Sequence, residues 1–128
     1  MAVAFAALAW PAAALTQYDC VVSEFRSSGA DPVFDRRNKQ KTFEILRKED
    51  EFVVFSKSEV FDDSERRYAI HRKGTLDVVA LSQNAVSHYT LVMPADPNGD
   101  VKREGYFEAS ITTQSNFYVN AWFLRCIN

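Results

Sequence analysis

The sequence predicts an all-β domain: a small antiparallel meander of eight strands closing as an up-and-down barrel, with a two-sheet sandwich as the runner-up. Three observations lead there. Segments rich in β-branched and aromatic residues follow one another through mostly short connections, and short links favour antiparallel neighbours because parallel pairs need long crossovers. No run of helical periodicity competes strongly with them. The two cysteines, Cys20 and Cys126, fall in the first and last of these segments. A disulfide between them would tie the ends of the meander together, and closure removes exposed strand edges.

The chain of 128 residues is one domain by length, and its 47% hydrophobic and 13% aromatic content suffices for a core. Only 4 Gly and 4 Pro argue against low complexity. Residues 1–14 read as a signal peptide: a continuous apolar run from Met1 to Trp10, then Pro11 and Ala12-Ala13-Ala14, an A-x-A pattern with cleavage expected after Ala14. No Lys or Arg precedes the run, which leaves open a true start further upstream or a buried helix. The run is short for a membrane span, and the residues before Cys20, Gln17-Tyr18-Asp19, do not fit a lipoprotein signal. The domain is therefore expected over 15–128, exported to the periplasm or secreted, with no integral span in the mature chain. In that setting Cys20 and Cys126 read as one disulfide, with two free buried thiols as the alternative.

Residues 18–25 form the first expected strand, with Tyr18, Cys20 and Val22 on one face and Val21, Ser23 and Phe25 on the other. Turn formers follow at 27–32. Residues 32–41, carrying Arg36, Arg37, Lys39 and Lys41, read as an exposed loop. Residues 42–47 and 52–57 read as a hairpin, and the unbroken apolar run Phe52-Val53-Val54-Phe55 predicts a strand covered on both faces. An acidic connection at 59–65 precedes strands at 66–72 and 75–81, which turn at Lys73-Gly74. A further strand at 86–93 and a loop at 94–100 lead to the closing hairpin.

That hairpin spans 105–128. Its first arm alternates Phe107, Ala109 and Ile111 against Glu108, Ser110 and Thr112, the period of a half-buried strand. The second arm is apolar on both faces: Phe117, Val119, Ala121 and Phe123 on one, Tyr118, Trp122, Leu124 and Cys126 on the other. A three-residue loop with Asn116 left-handed pairs Phe107 with Phe123 and Ile111 with Val119. A two-residue turn on Ser115-Asn116 pairs Phe107 with Leu124 and Ala109 with Trp122. The longer loop is favoured, because a tight primed turn asks for positive φ at Ser115. Either way a second apolar face remains for a neighbouring segment, a bound molecule or a partner to cover.

Candidate chemistry is sparse. Asp96-Pro97-Asn98-Gly99-Asp100 resembles the opening of an EF-hand loop, but Val101 stands where the sharp-turn glycine belongs and Phe107 where the bidentate glutamate belongs; an exposed turn is the expectation. His71 and His88 are the only histidines. His71 lies beside Arg72 and Lys73, and His88 alternates with Val86 and Thr90, which would aim it inward. No Cys/His spacing fits a metal, no G-x-S-x-G elbow marks a nucleophile, and no glycine loop cradles phosphate, so neither metal nor cofactor is expected. Carboxylate pairs drawn from Glu59, Asp62, Asp63 and Glu65 read as a solvated face. A net charge of -2 gives no footprint for nucleic acid. The basic group Arg36, Arg37, Lys39 and Lys41 is diluted by Asp35 and Glu44 and reads as ordinary surface rather than a contact for lipid headgroups or glycan phosphates. Arg66 and Arg67 beside Glu65 read the same way.

With Tyr18-Asp19-Cys20 near the mature start, the cysteine-tied eight-strand pattern resembles small envelope β-barrels such as the C-type lysozyme inhibitors. The inhibitory loop motif of that family is absent, so the resemblance implies architecture and carries over no residue or activity. The functional expectation is a non-enzymatic exported binding module for a protein or an apolar ligand, met by an aromatic patch built from Tyr118, Trp122 and Phe123. The alternatives are an extracytoplasmic hydrolase using His71 or His88 as base, or a structural envelope component. Oligomeric state is not legible.

Overall fold

Each strand pairs antiparallel with its neighbour in sequence, and the last pairs with the first, so the sheet closes as an eight-stranded barrel. The structure, a computed structural model, describes residues 16–29 and 31–128; the signal peptide expected at 1–14 lies outside them. The strands are β1 (Thr16–Ser27), β2 (Thr42–Arg47), β3 (Glu51–Lys57), β4 (Ser64–Lys73), β5 (Asp77–Gln83), β6 (His88–Pro94), β7 (Phe107–Gln114) and β8 (Val119–Ile127). Two helices interrupt the meander: α1 (Pro32–Lys39) and α2 (Pro97–Glu104). Both fall where loops were expected, and both begin alike. Asp31 caps α1, its Oδ1 accepting the N–H groups of Val33 and Phe34 at 3.0 and 3.2 Å. Asp96 caps α2, accepting from the Gly99 N–H at 3.1 Å. In each the next residue is proline at the first helical position, where its missing N–H costs nothing and its fixed φ suits the helix. The supposed calcium-like loop is thus a helix cap. Gly105 ends α2 with φ +88, donating its N–H to the Val101 carbonyl at 2.8 Å.

Inward positions fill the barrel. Ile45, Phe52, Leu91, Phe107 and Leu124 are buried, with small Ala80 and Ala109 set among them. Each of the large side chains contributes about 1.5–3 kcal/mol by leaving water. Cys20 and Cys126 stand directly opposite each other across the β1–β8 seam and are bonded, both sulfurs facing the core. A bulge between Val22 and Glu24 shifts the parity of β1, so Phe25 turns inward instead of lying opposite Cys20's face as expected. Along β3, Phe52, Val53 and Val54 are all buried. Val53 faces outward between Leu46 and Arg67, and the Arg67 guanidinium reaches across to Glu51 at 2.7 Å. With Leu46 and Arg67 as its cross-strand neighbours, Val53 is covered on the outer face, so residues 52–54 have the two-sided cover the run predicts, while Phe55 is half-buried.

The closing hairpin adopts neither expected register. Phe107 opposes Cys126, Ala109 opposes Leu124 and Ile111 opposes Trp122. No described non-glycine residue has positive φ, so Asn116 does not supply the left-handed turn. Instead the tip takes up 115–118, held by the Ser115 N–H donating to the Tyr118 carbonyl at 3.0 Å and the Phe117 N–H donating to Ser115 Oγ at 3.0 Å. The consequence is a swap of faces. Trp122, Leu124 and Cys126 enter the core, while Phe123 is 41% exposed and Phe117, at the tip, 86% exposed.

The two ends of the barrel differ. At the lower end, near Thr16 and Asn128, α2 lies against the opening. Pro97 is buried, Val101 packs on the core, and Asn98 Oδ1 accepts from the Tyr18 hydroxyl and from Asn128 Nδ2, each at 3.3 Å. Tyr18 in turn meets Phe107 edge-on, ring centroids 4.9 Å apart. The upper end carries α1 and the β3–β4, β5–β6 and β7–β8 connections. There Phe34 of α1 packs between Phe25 and Phe61, at 5.8 and 6.1 Å.

Candidate functional site

Toward the upper end the inward positions of β3, β4 and β7 stop being apolar. Ser56 at the end of β3, Ser64 and Arg66 at the start of β4, and Thr113 at the end of β7 all lie on the core-facing side of their strands. Trp122 of β8 and Lys41, just before β2, complete the wall. Hydroxyls and small residues do not fill a barrel as Leu or Phe does, so a hollow of about 240 Å³ remains in the mouth.

Its electrostatics are one-sided. Two of the lining side chains, Lys41 and Arg66, are cationic and none is acidic. Neither cation forms an ion pair among the described residues. They rest on aromatic faces instead. The Lys41 ammonium lies 4.7 Å from the Phe61 ring centroid and 5.0 Å from that of Trp122. The Arg66 guanidinium carbon lies 3.5 Å from the Tyr89 centroid. Burial pulls the Lys41 ammonium below its usual pKa, since the neutral amine loses less on leaving water. Burial pushes the Tyr68 phenol well above the usual range, with Arg66 opposing the shift and Tyr89 adding to it. The Ser56 and Ser64 hydroxyls share a hydrogen bond at 3.1 Å. Trp122 Nε1 is buried and has no hydrogen-bond partner, an uncommon state for an indole N–H.

The rim is apolar. Each upper connection exposes a hydrophobic side chain: Val33 on α1, Val60 between β3 and β4, Val86 between β5 and β6, and Phe117 between β7 and β8. A bond of 2.8 Å between the Ser87 and Tyr118 hydroxyls ties the last two tips together. A larger hollow of about 560 Å³ lies beside this end between Gln40, Lys57, Glu59 and Asp63, but it is an open groove of mixed charge lined by no core-facing aromatic.

The residues singled out from the sequence scatter. His71 lies on β4 at a register shift and His88 opens β6; both are exposed. His88 does not face inward, because Tyr89, Leu91 and Met93 take the core side of β6. The expected aromatic patch divides: Trp122 joins a buried cluster with Phe25 and Phe43, at 5.1 and 6.2 Å, while Tyr118 and Phe123 stay on the surface. The basic group divides too. Arg36, Arg37 and Lys39 sit on the exposed side of α1, and Lys41 turns into the mouth. Among the described residues no three His, Cys, Asp or Glu side chains gather as a metal set, and no helix is long and apolar enough to cross a membrane. Comparison with protein-family models, with curated proteins and with solved structures finds no match for this chain.

Proposed function

We propose that this chain is an exported, non-enzymatic binding module that takes a small molecule into the upper mouth of its barrel. The observation that carries the reading is the asymmetry of the interior. One end is filled by aromatic side chains under α2; the other holds a hollow of about 240 Å³ walled by inward-facing Ser56, Ser64, Thr113 and Trp122. An eight-stranded barrel is just wide enough to be filled by side chains or to hold one small ligand, and the mouth of a barrel is a common place for such a site. The Cys20–Cys126 disulfide supports an oxidising compartment, in agreement with the signal peptide expected at 1–14.

The reading is tested by NMR titration of the ¹⁵N-labelled protein with three single-ring probes: phenol, benzoate and benzylamine. At least one is expected to shift the amides of Ser56, Ser64 and Thr113 saturably, with Kd below about 1 mM. Filling the hollow with Ser56→Leu should abolish the response while leaving the dispersed spectrum of a folded barrel. A protein whose mouth resonances ignore all three probes is not a binding module of this kind.

A further inference from the structure

Resting on the reading of the mouth as a binding site, we propose that its ligand is a small organic monoanion: a carboxylate on a short aliphatic or single-ring body, gripped by Arg66 and Lys41 with its apolar part against Trp122. The hollow lacks a negative group and carries two positive ones. A cation drawn out of water is costly unless it is paired or hydrogen-bonded, and a carboxylate would satisfy both conditions at once. The Arg66 guanidinium carbon rests 3.5 Å from the Tyr89 ring centroid, a contact that occupies none of its N–H donors, and no described group accepts from them. A planar donor set is what binds a carboxylate with two parallel hydrogen bonds. Lys41, held over Trp122 and Phe61 just before β2, supplies a second charge to the mouth, with only β3 between that strand and the strand of Arg66.

One feature points away from a bare inorganic ion. Phe43, Val54, Ile111 and Trp122 make the deeper wall apolar, and an inorganic ion would leave it wet. Size sets the other limit. At roughly 30 Å³ per water the hollow holds about eight waters, so the ligand is a short chain or a single ring rather than a lipid.

The test compares benzoate, its neutral isostere benzamide, and inorganic phosphate, read on the Trp122 indole N–H and the Ser64 and Thr113 amides. Benzoate should bind about tenfold or more tightly than benzamide, because a charge-assisted hydrogen bond replaces a neutral one. Arg66→Met should weaken benzoate by about tenfold or more, and Arg66→Lys, which keeps the charge and loses the fork, should fall between. Lys41→Met serves if the strand variant fails to fold, since Lys41 precedes β2. Phe123→Ala, on the outer wall, should leave affinity unchanged. Equal affinity for benzoate and benzamide, or a folded Lys41→Met or Arg66→Met protein that keeps full affinity, overturns the anion assignment while leaving the binding mouth in place. Phosphate binding as tightly as benzoate overturns the apolar body. Silence towards every probe overturns both.

Discussion

Cutting the Cys20–Cys126 bond opens a loop of 106 positions, and the structure says where the loss would be felt. The bond joins directly opposed residues of β1 and β8, the one pairing of the barrel whose strands lie at opposite ends of the chain. Every other pairing joins sequence neighbours, so the seam carries nearly all the loop-closure cost of the fold. The chain-entropy account puts the link at about 4.7 kcal/mol for a loop of ~100 residues, with 2–4 kcal/mol the usual yield. A domain of roughly 110 residues unfolds with an entropy near 0.23 kcal/mol/K, so the loss should lower Tm by about 9–17 °C. The assay is calorimetry on the oxidised protein, on the same protein after unfolding, reduction and refolding in reductant, and on Cys20→Ala/Cys126→Ala. Reduction keeps the buried sulfur volume, and the double substitution does not, so the pair separates the link from the packing. A reduced protein melting within about 2 °C of the oxidised one would refute the argument that the seam depends on the bond.

The face swap in the closing hairpin predicts that Leu124→Ala costs about 2–5 kcal/mol in urea unfolding while Phe123→Ala costs less than about 1; the reverse order would restore the register with Phe123 opposite Phe107. Gly105→Ala should cost about 1–2 kcal/mol, because φ +88 is strained for any residue with a Cβ even though space around the site is open, and an unchanged midpoint would mean the helix end relaxes. Alkaline pH should act in two directions. Tyr18 and Tyr68 are raised above 10.0 chiefly by burial, so the folded state holds their protons longer. Their contribution is complete below that value and is lost as pH rises beyond it. Lys41 is lowered from 10.5, so its contribution runs the other way, stability rising as pH climbs from its folded pKa to 10.5. Ultraviolet titration should show two of the 5 tyrosines ionising late, and all five ionising together in the folded protein would contradict the burial argument.

Strand order, closure and the disulfide were legible because each rests on a local signal that tertiary packing then respects. Alternation marks the strands, short links make them antiparallel, and two cysteines at the ends leave one pairing. The helices were missed although Asp31-Pro32 and Asp96-Pro97 each announce one. An Asp cap followed by Pro at the first helical position is a start signal, but with only eight residues following, each segment has the composition of a loop. The hairpin register failed for a different reason. Both faces of β8 are apolar, so alternation could not choose between them, and the choice passed to turn geometry, where Phe117 sits exposed at the tip against its own hydrophobicity. The mouth was hidden because none of its residues is unusual alone. Arg66 reads as a surface arginine, Lys41 as part of a diluted basic loop, and nothing in the sequence singles out Thr113. What distinguishes them appears only when consecutive antiparallel strands are laid head to tail. Polar residues then break the inward alternation at the end of β3, the start of β4 and the end of β7, all at one end of the barrel. A barrel that merely needed to fold would have used Val or Leu at Ser56, Arg66 and Thr113, whose neighbours one turn of the pleat deeper, Val54, Tyr68 and Ile111, are buried and bulky. The hollow is thus written into three strands at once, and its chemistry resides in the choice of arginine, with no acidic residue on the lining wall to match it.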